Sequence, residues 1–159
     1  MIQAIAIAEI VIHRPIEIVR AQFLDLEHHI TKRVHPDVEI IDHQRDGGAW
    51  VYTQGQRVFG RMRRNRVRLE AAGDGSVSLA WLSGPDHGTV QTLTFQAVGD
   101  SSTRVRNRTT IPLSGLMSLM KPLVEKQATK LSQQALEQDR TDLEQGGYPE
   151  VAGYAVARQ

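Results

Sequence analysis

The chain has 159 residues and a net charge of +1, with 40% apolar and 23% charged residues. That size and balance describe one globular domain with its own core and exclude wholesale disorder, and the near-neutral charge excludes a global bias toward nucleic acid or anionic membrane. There is no cysteine, which excludes disulfides, thiolate metal sites and cysteine nucleophiles.

The dense β-branched run from Ile2 to Ile12 reads as a strand. Ala4, Ala6, Ala8, Ile10 and Ile12 form a small-residue face that lets another element approach closely, and Glu9 marks the opposite face as the solvent side. Pro15 suits a first helical position, and Ile16, Val19 and Phe23 recur at helical spacing to about Leu24. A second short helix or turn covers Asp25 to Val34, before His35-Pro36-Asp37. Six short strands follow, bounded by turn signals: Val38 to His43, Ala49 to Phe59, Arg61 to Ala71, Ser76 to Leu82, Gly88 to Val98 and Thr103 to Ile111. Short turns throughout require an antiparallel meander. Pro112 is expected to end the last strand. A long amphipathic helix then carries Leu116, Met120, Leu123, Leu131 and Ala135 on one stripe, with a kink or restart where Pro122 falls. Gly146-Gly147 stops it, dividing the chain into a domain over 1–147 and a loosely held tail over 148–159.

No stretch approaches the roughly 20 apolar residues of a membrane helix, so membrane insertion is not expected. The apolar start has neither the basic region nor the cleavage site of a signal peptide, and a cytoplasmic location is expected.

This order of elements, with a proline inside the closing helix, resembles the helix-grip fold of the START/Bet v1-like (SRPBCC) superfamily. The segment Ile10-Val11-Ile12-His13-Arg14-Pro15-Ile16-Glu17-Ile18-Val19 is similar to that family's strand-to-helix entry, Gly84-Pro85-Asp86-His87-Gly88 and Asp100 to Val105 to its late hairpins, and Leu113 to Glu144 to its closing helix. The resemblance implies an α+β helix-grip fold: a curved antiparallel sheet of about seven strands around a long C-terminal helix, with two short helices after the first strand. It also implies a cavity between sheet and helix for lipids, sterols, hormones, quinones or polyketides.

Within that frame Trp81, Leu79, Leu93 and Phe95 are expected on the sheet side of the pocket, and Met117, Met120, Leu123 and Val124 on the helix side. Trp50 and Tyr52 share one strand face; Gln91, Asn107, Thr109 and Gln127 are polar at positions expected to turn inward. His28, His29 and His35 cluster with Asp25 and Asp37, but adjacent His28 and His29 point to different sides of a helix and no ligand spacing is present, so no metal and no cofactor is expected. If the segment lies at the pocket mouth, as the resemblance implies, His28 or His35 can bind a polar ligand head. Arg61, Arg63, Arg64, Arg66 and Arg68 crowd one strand and Arg104, Arg106 and Arg108 alternate on another, which reads as a solvated outer face. Neither run interleaves aromatics, so nucleic acid is not an expected partner.

Three functions remain open at this level. The first is binding or carrying a hydrophobic small molecule. The second is a polyketide-type cyclase or dehydratase using a histidine or Tyr52 as its titrating group. The third is a protein or RNA interaction module acting through the arginine face.

Overall fold

A sheet edge exposes unpaired backbone groups that must be covered, and the first strand shows how this chain covers one. The structure, a computed structural model, describes residues 2–149. β1 (Ile2–Ile12) lies at one edge of a seven-stranded antiparallel sheet whose order is β1-β7-β6-β5-β4-β3-β2. The other strands are β2 (Val38–Asp46), β3 (Ala49–Val58), β4 (Arg61–Ala71), β5 (Val77–Ser83), β6 (Val90–Ala97) and β7 (Thr103–Leu113). Two short helices, α1 (Ile16–Leu24) and α2 (Leu26–Lys32), follow β1, and α3 (Lys121–Gln145) closes the domain. This is the α+β helix-grip arrangement.

α3 rests chiefly on β1. Ala4, Ala6 and Ala8 are all buried, and their short side chains let the helix approach the strand. Glu125 and Glu144 of α3 then accept hydrogen bonds from the edge N–H groups of Ile5 (2.8 Å) and His13 (2.9 Å). Leu136 and Leu143 are fully buried in a core with Ile12, Val19, Phe23, Val67, Val77 and Val105. Because α3 leans on the β1 side, space remains between it and the central strands.

Three local expectations change. Pro112 does not end β7: it pairs with Gln3 of β1, two residues beyond the last β6 partner of the strand, Thr110, so its missing N–H costs no second ladder. The helix does restart at Pro122, which sits in the first turn of α3 after a separate 3₁₀ segment over Gly115–Met120. β2 runs on to Asp46, with a bulge between Ile41 and Gln44. Tyr148, assigned by sequence to the tail, is buried with its ring 4.6 Å from that of His28, and it donates to Asp25 Oδ2 at 3.2 Å. The rest of the tail from 150 lies outside the described residues.

Candidate functional site

The space left by the tilt of α3 forms two adjoining cavities. The larger, about 320 Å³, lies between α3, the 3₁₀ segment and the β5–β6 hairpin. Trp81, Ile111, Met117, Val124 and Leu131 give it apolar walls, while Arg63, Gln91, Thr109 and Gln127 supply polar groups. The smaller, about 130 Å³, continues inward between Phe23, Tyr52, Leu79, Leu93, Asn107 and Leu136, and ends at His29, His35 and Asp139. Gln91 lines both. Two buried polar atoms of lining residues have no protein partner, Thr89 Oγ1 and Asn107 Nδ2. Burial pushes the Tyr52 phenol up, so it is neutral and a donor throughout the ordinary pH range.

The hairpin at the mouth is held by Asp86. Gly84 turns with φ +113° so close to β4 that a Cβ there would stand 2.7 Å from the Arg64 carbonyl. That approach lets Asp86 accept from Asn65 Nδ2 (2.9 Å) and from the Arg63 guanidinium (2.8 Å at Nη2), while its N–H donates to Asn65 Oδ1 (2.8 Å).

The inner end is polar for a different reason: His28 and His29 of α2, with His35 just after it, pack against Asp139, which is buried, and Asp142, which is partly buried, on α3. His28 Nε2 meets Asp142 Oδ2 at 2.7 Å, and His29 Nε2 meets Asp139 Oδ1 at 3.1 Å. His35 Nε2 lies 3.3 Å from the same Asp139 oxygen. Gln22 Nε2 donates to both acids, at 3.1 Å to Asp139 and 2.9 Å to Asp142. Burial by itself works against the charged form of each partner. For His35 the Asp139 charge and hydrogen bond outweigh burial, and its value rises from 6.5 to about 9. For Asp139 the His35 charge and the hydrogen bonds from His29 and His35 outweigh it, holding the carboxyl well below the usual carboxylate range.

No protein-family model matches the sequence, and no curated protein matches it. Solved structures do match, over nearly the whole chain. TTHA0849 from Thermus thermophilus superposes with a TM-score of 0.76 at 20% identity, covering 90% of this chain and 99% of that one. The Zhui aromatase/cyclase from Streptomyces sp. R1128 gives 0.69 at 11% identity, covering 92% and 99%. A START superfamily protein from Mycobacterium smegmatis gives 0.69 at 14% identity, covering 89% and 98%. The chain has the START/Bet v1-like helix-grip fold.

Within this helix-grip fold the sequence-selected residues separate into three groups. Trp81 and Met117 line the larger cavity, and Tyr52, Leu79, Leu93 and His35 line the smaller. Phe95 instead packs edge-on against Phe23 at 5.5 Å, and His28 turns to Asp142 and Tyr148; neither lines these two cavities. Met120 and Leu123 face outward, 41% and 44% exposed. The expected stripe assumed one continuous period of 3.6, but the 3₁₀ segment turns every three residues and shifts the phase before α3 begins.

The histidine segment is not at the Trp81 mouth either. α3 contacts it at Asp139, about 20 Å along the helix from Val124 at the larger cavity. Arg63 also departs from expectation: it shares a strand face with buried Asn65 and Val67 and lines the cavity, whereas Arg64, Arg66 and Arg68 alternate to the other side. Arg64 pairs with Glu39 (2.8 Å), Arg68 with Asp46, and Arg66 donates to the Asp42 carbonyl (2.7 Å). The outer arginines are therefore largely engaged by the protein's own acceptors. His29, Asp139 and Arg63 escaped selection as site residues. Period-two counting along β4 could have found Arg63; nothing local marks Asp139 among the many polar residues of α3.

Among the described residues no helix is long and apolar enough to cross a membrane.

Proposed function

We propose that the protein binds or carries a hydrophobic small molecule in the larger cavity. The observation that carries this reading is the cavity of about 320 Å³ with Trp81, Met117, Val124 and Leu131 as apolar walls, a size and character suited to a lipid-, quinone- or polyketide-like ligand. Trp81 and Met117 supply a flat apolar surface and an adaptable one. Gln91 and Thr109 provide hydrogen bonds that fix a ligand's polar end. The fold shared with an aromatase/cyclase and a START protein supports the location of such a site.

Native mass spectrometry of freshly purified protein tests this directly. A co-purifying small molecule, displaced when Leu131 is replaced by Trp, is the expected result. Apo mass alone, together with no change in tryptophan fluorescence on titration with hydrophobic probes, would overturn it.

A second reading is a cyclase or dehydratase in the joined cavities. Asn107 favours it: its side chain is buried, lines the inner cavity beside the Tyr52 phenol, and has an amide N–H₂ with no partner. Such a pair can orient a ligand carbonyl, and catalysis would then come mainly from holding a reactive chain in one folded geometry.

A further inference from the structure

The inner end of the cavity gathers three side chains of metal-ligating type, His29, His35 and Asp139. His29 Nδ1 lies 2.9 Å from the Asp25 carbonyl oxygen. A carbonyl only accepts, so Nδ1 carries the hydrogen and Nε2 of a neutral ring presents its lone pair. His35 Nδ1 lies 2.7 Å from Gln138 Oε1, and when it donates there its Nε2 is left to ligate. Both Nε2 atoms nevertheless converge on one carboxylate oxygen, Asp139 Oδ1, at 3.1 and 3.3 Å. With neutral rings, three acceptors face one another. With two imidazolium rings, two cations stack with centroids 5.4 Å apart and an interplanar angle of 29°.

A divalent cation competes with ring protons for this point of convergence. It accepts all three lone pairs and replaces two ring protons by one ion of the same total charge. Ligand atoms each about 2.1 Å from a zinc lie about 3.0 to 3.4 Å apart across octahedral to tetrahedral angles, and the two histidine-to-carboxylate separations, 3.1 and 3.3 Å, fall in that range. The three donor atoms lie within 4.8 Å of one another. The surroundings also fit. Metal-bound imidazoles ordinarily donate their second N–H to a carbonyl or similar acceptor, which here are Asp25 and Gln138. Gln22 Nε2 donates to the same Asp139 oxygen at 3.1 Å and helps to hold the carboxylate in place.

We infer that His29, His35 and Asp139 form a site for one first-row divalent transition metal, of the zinc or iron(II) class, at the inner end of the smaller cavity. Three protein ligands leave coordination positions open, and the same three residues line the inner cavity, so those positions are reachable from it. The absence of ligand spacing in the sequence has a simple cause. The carboxylate comes from α3, 104 residues after the second histidine, and only the packing of α2 on α3 brings it in. The inference stands whether or not the larger cavity binds a hydrophobic ligand.

The test is metal uptake by full-length protein stripped with a chelator. Zinc(II) alone, and separately cobalt(II), is titrated by calorimetry in buffers of differing ionisation enthalpy. One ion per chain is expected, with proton release at neutral pH and affinity rising with pH. Cobalt should also give a visible absorption band reporting nitrogen and oxygen ligands. His29→Ala, His35→Ala and Asp139→Asn should abolish uptake, and Gln138→Ala should weaken it about tenfold. His43→Ala and His87→Ala should leave it unchanged. Should Asp139→Asn fail to fold, the wild-type cobalt spectrum and the two histidine variants still decide. No uptake of either ion by wild-type protein, or undiminished uptake by His29→Ala and His35→Ala, would overturn the assignment.

Discussion

Asp86 grips the Arg63 guanidinium through three contacts, Nε to both carboxylate oxygens at 3.1 Å and Nη2 to Oδ1 at 2.8 Å. The pair ties the β5–β6 hairpin to β4 at the mouth of the larger cavity, so it positions one wall of the proposed binding site. Both side chains are about one-third exposed, and solvent screening keeps such a pair's contribution near 1 kcal/mol. Asp86→Ala also frees Asn65, whose amide loses its acceptor. The expected outcome is a loss of about 1–2 kcal/mol in urea unfolding and weaker binding of a hydrophobic probe. Arg63→Lys, which keeps the charge but not the fork, should recover only part of the binding.

Gly84 makes that contact possible. Any Cβ at φ +113° is strained, and here it would also stand 2.5 Å from Asn65 Oδ1 and 2.7 Å from backbone. Gly84→Ala should therefore cost about 2–3 kcal/mol, read as a fall in Tm. Gly48→Ala meets nothing within 4 Å and has no positive φ, so it should be nearly neutral.

The apolar residues of the last helical stretch should behave in opposite ways. Leu136 is 1% exposed, so Leu136→Ala leaves a cavity and should cost about 2–5 kcal/mol. Leu119, at 79% exposure on the 3₁₀ segment, should tolerate Ser within about 0.5 kcal/mol in urea unfolding. A large loss at Leu119 and none at Leu136 would reverse the placement of this face.

Stability of the metal-free protein should depend on pH through His35 and Asp139. His35 titrates near 9 when folded against an ordinary value of 6.5. A raised value means the folded state holds its proton more tightly, so this stabilisation is complete below about 6.5 and fades as pH rises through 9. Asp139 is depressed, so its contribution is present above the ordinary carboxylate value and is lost as pH falls below it. Chemical unfolding of chelator-treated protein should accordingly show a maximum between about pH 5 and 6.5. His35→Gln should flatten the alkaline limb. Two-dimensional NMR of the imidazole carbons should show the late titration itself.

Most of the architecture was legible because it is written in local chemistry. The alternation of Ala4, Ala6 and Ala8 against Ile5, Ile7 and Glu9 fixed which face of β1 is buried, and the period of two fixed the outward face of Arg104, Arg106 and Arg108. Turn residues set the strand boundaries to within a few positions, and Pro122 marked where α3 restarts. Reading failed where the period changed, at the 3₁₀ segment that turned Met120 and Leu123 outward. It also failed where a short-range cue competed with a long-range one, as at Pro112, which stays in β7 because its partner is β1.

The sequence by itself determined the element order, the antiparallel meander and the inward faces of the strands, since these follow from side-chain periodicity and turn preference within a few residues. Tertiary structure alone decided the site. The tilt of α3 onto β1 opened the cavity, the approach at Gly84 brought Asp86 to Arg63, and the packing of α2 on α3 placed Asp139 between His29 and His35. Each of these joins groups separated by 20 to more than 100 residues. Such meetings depend on packing across the whole domain, which no local pattern encodes.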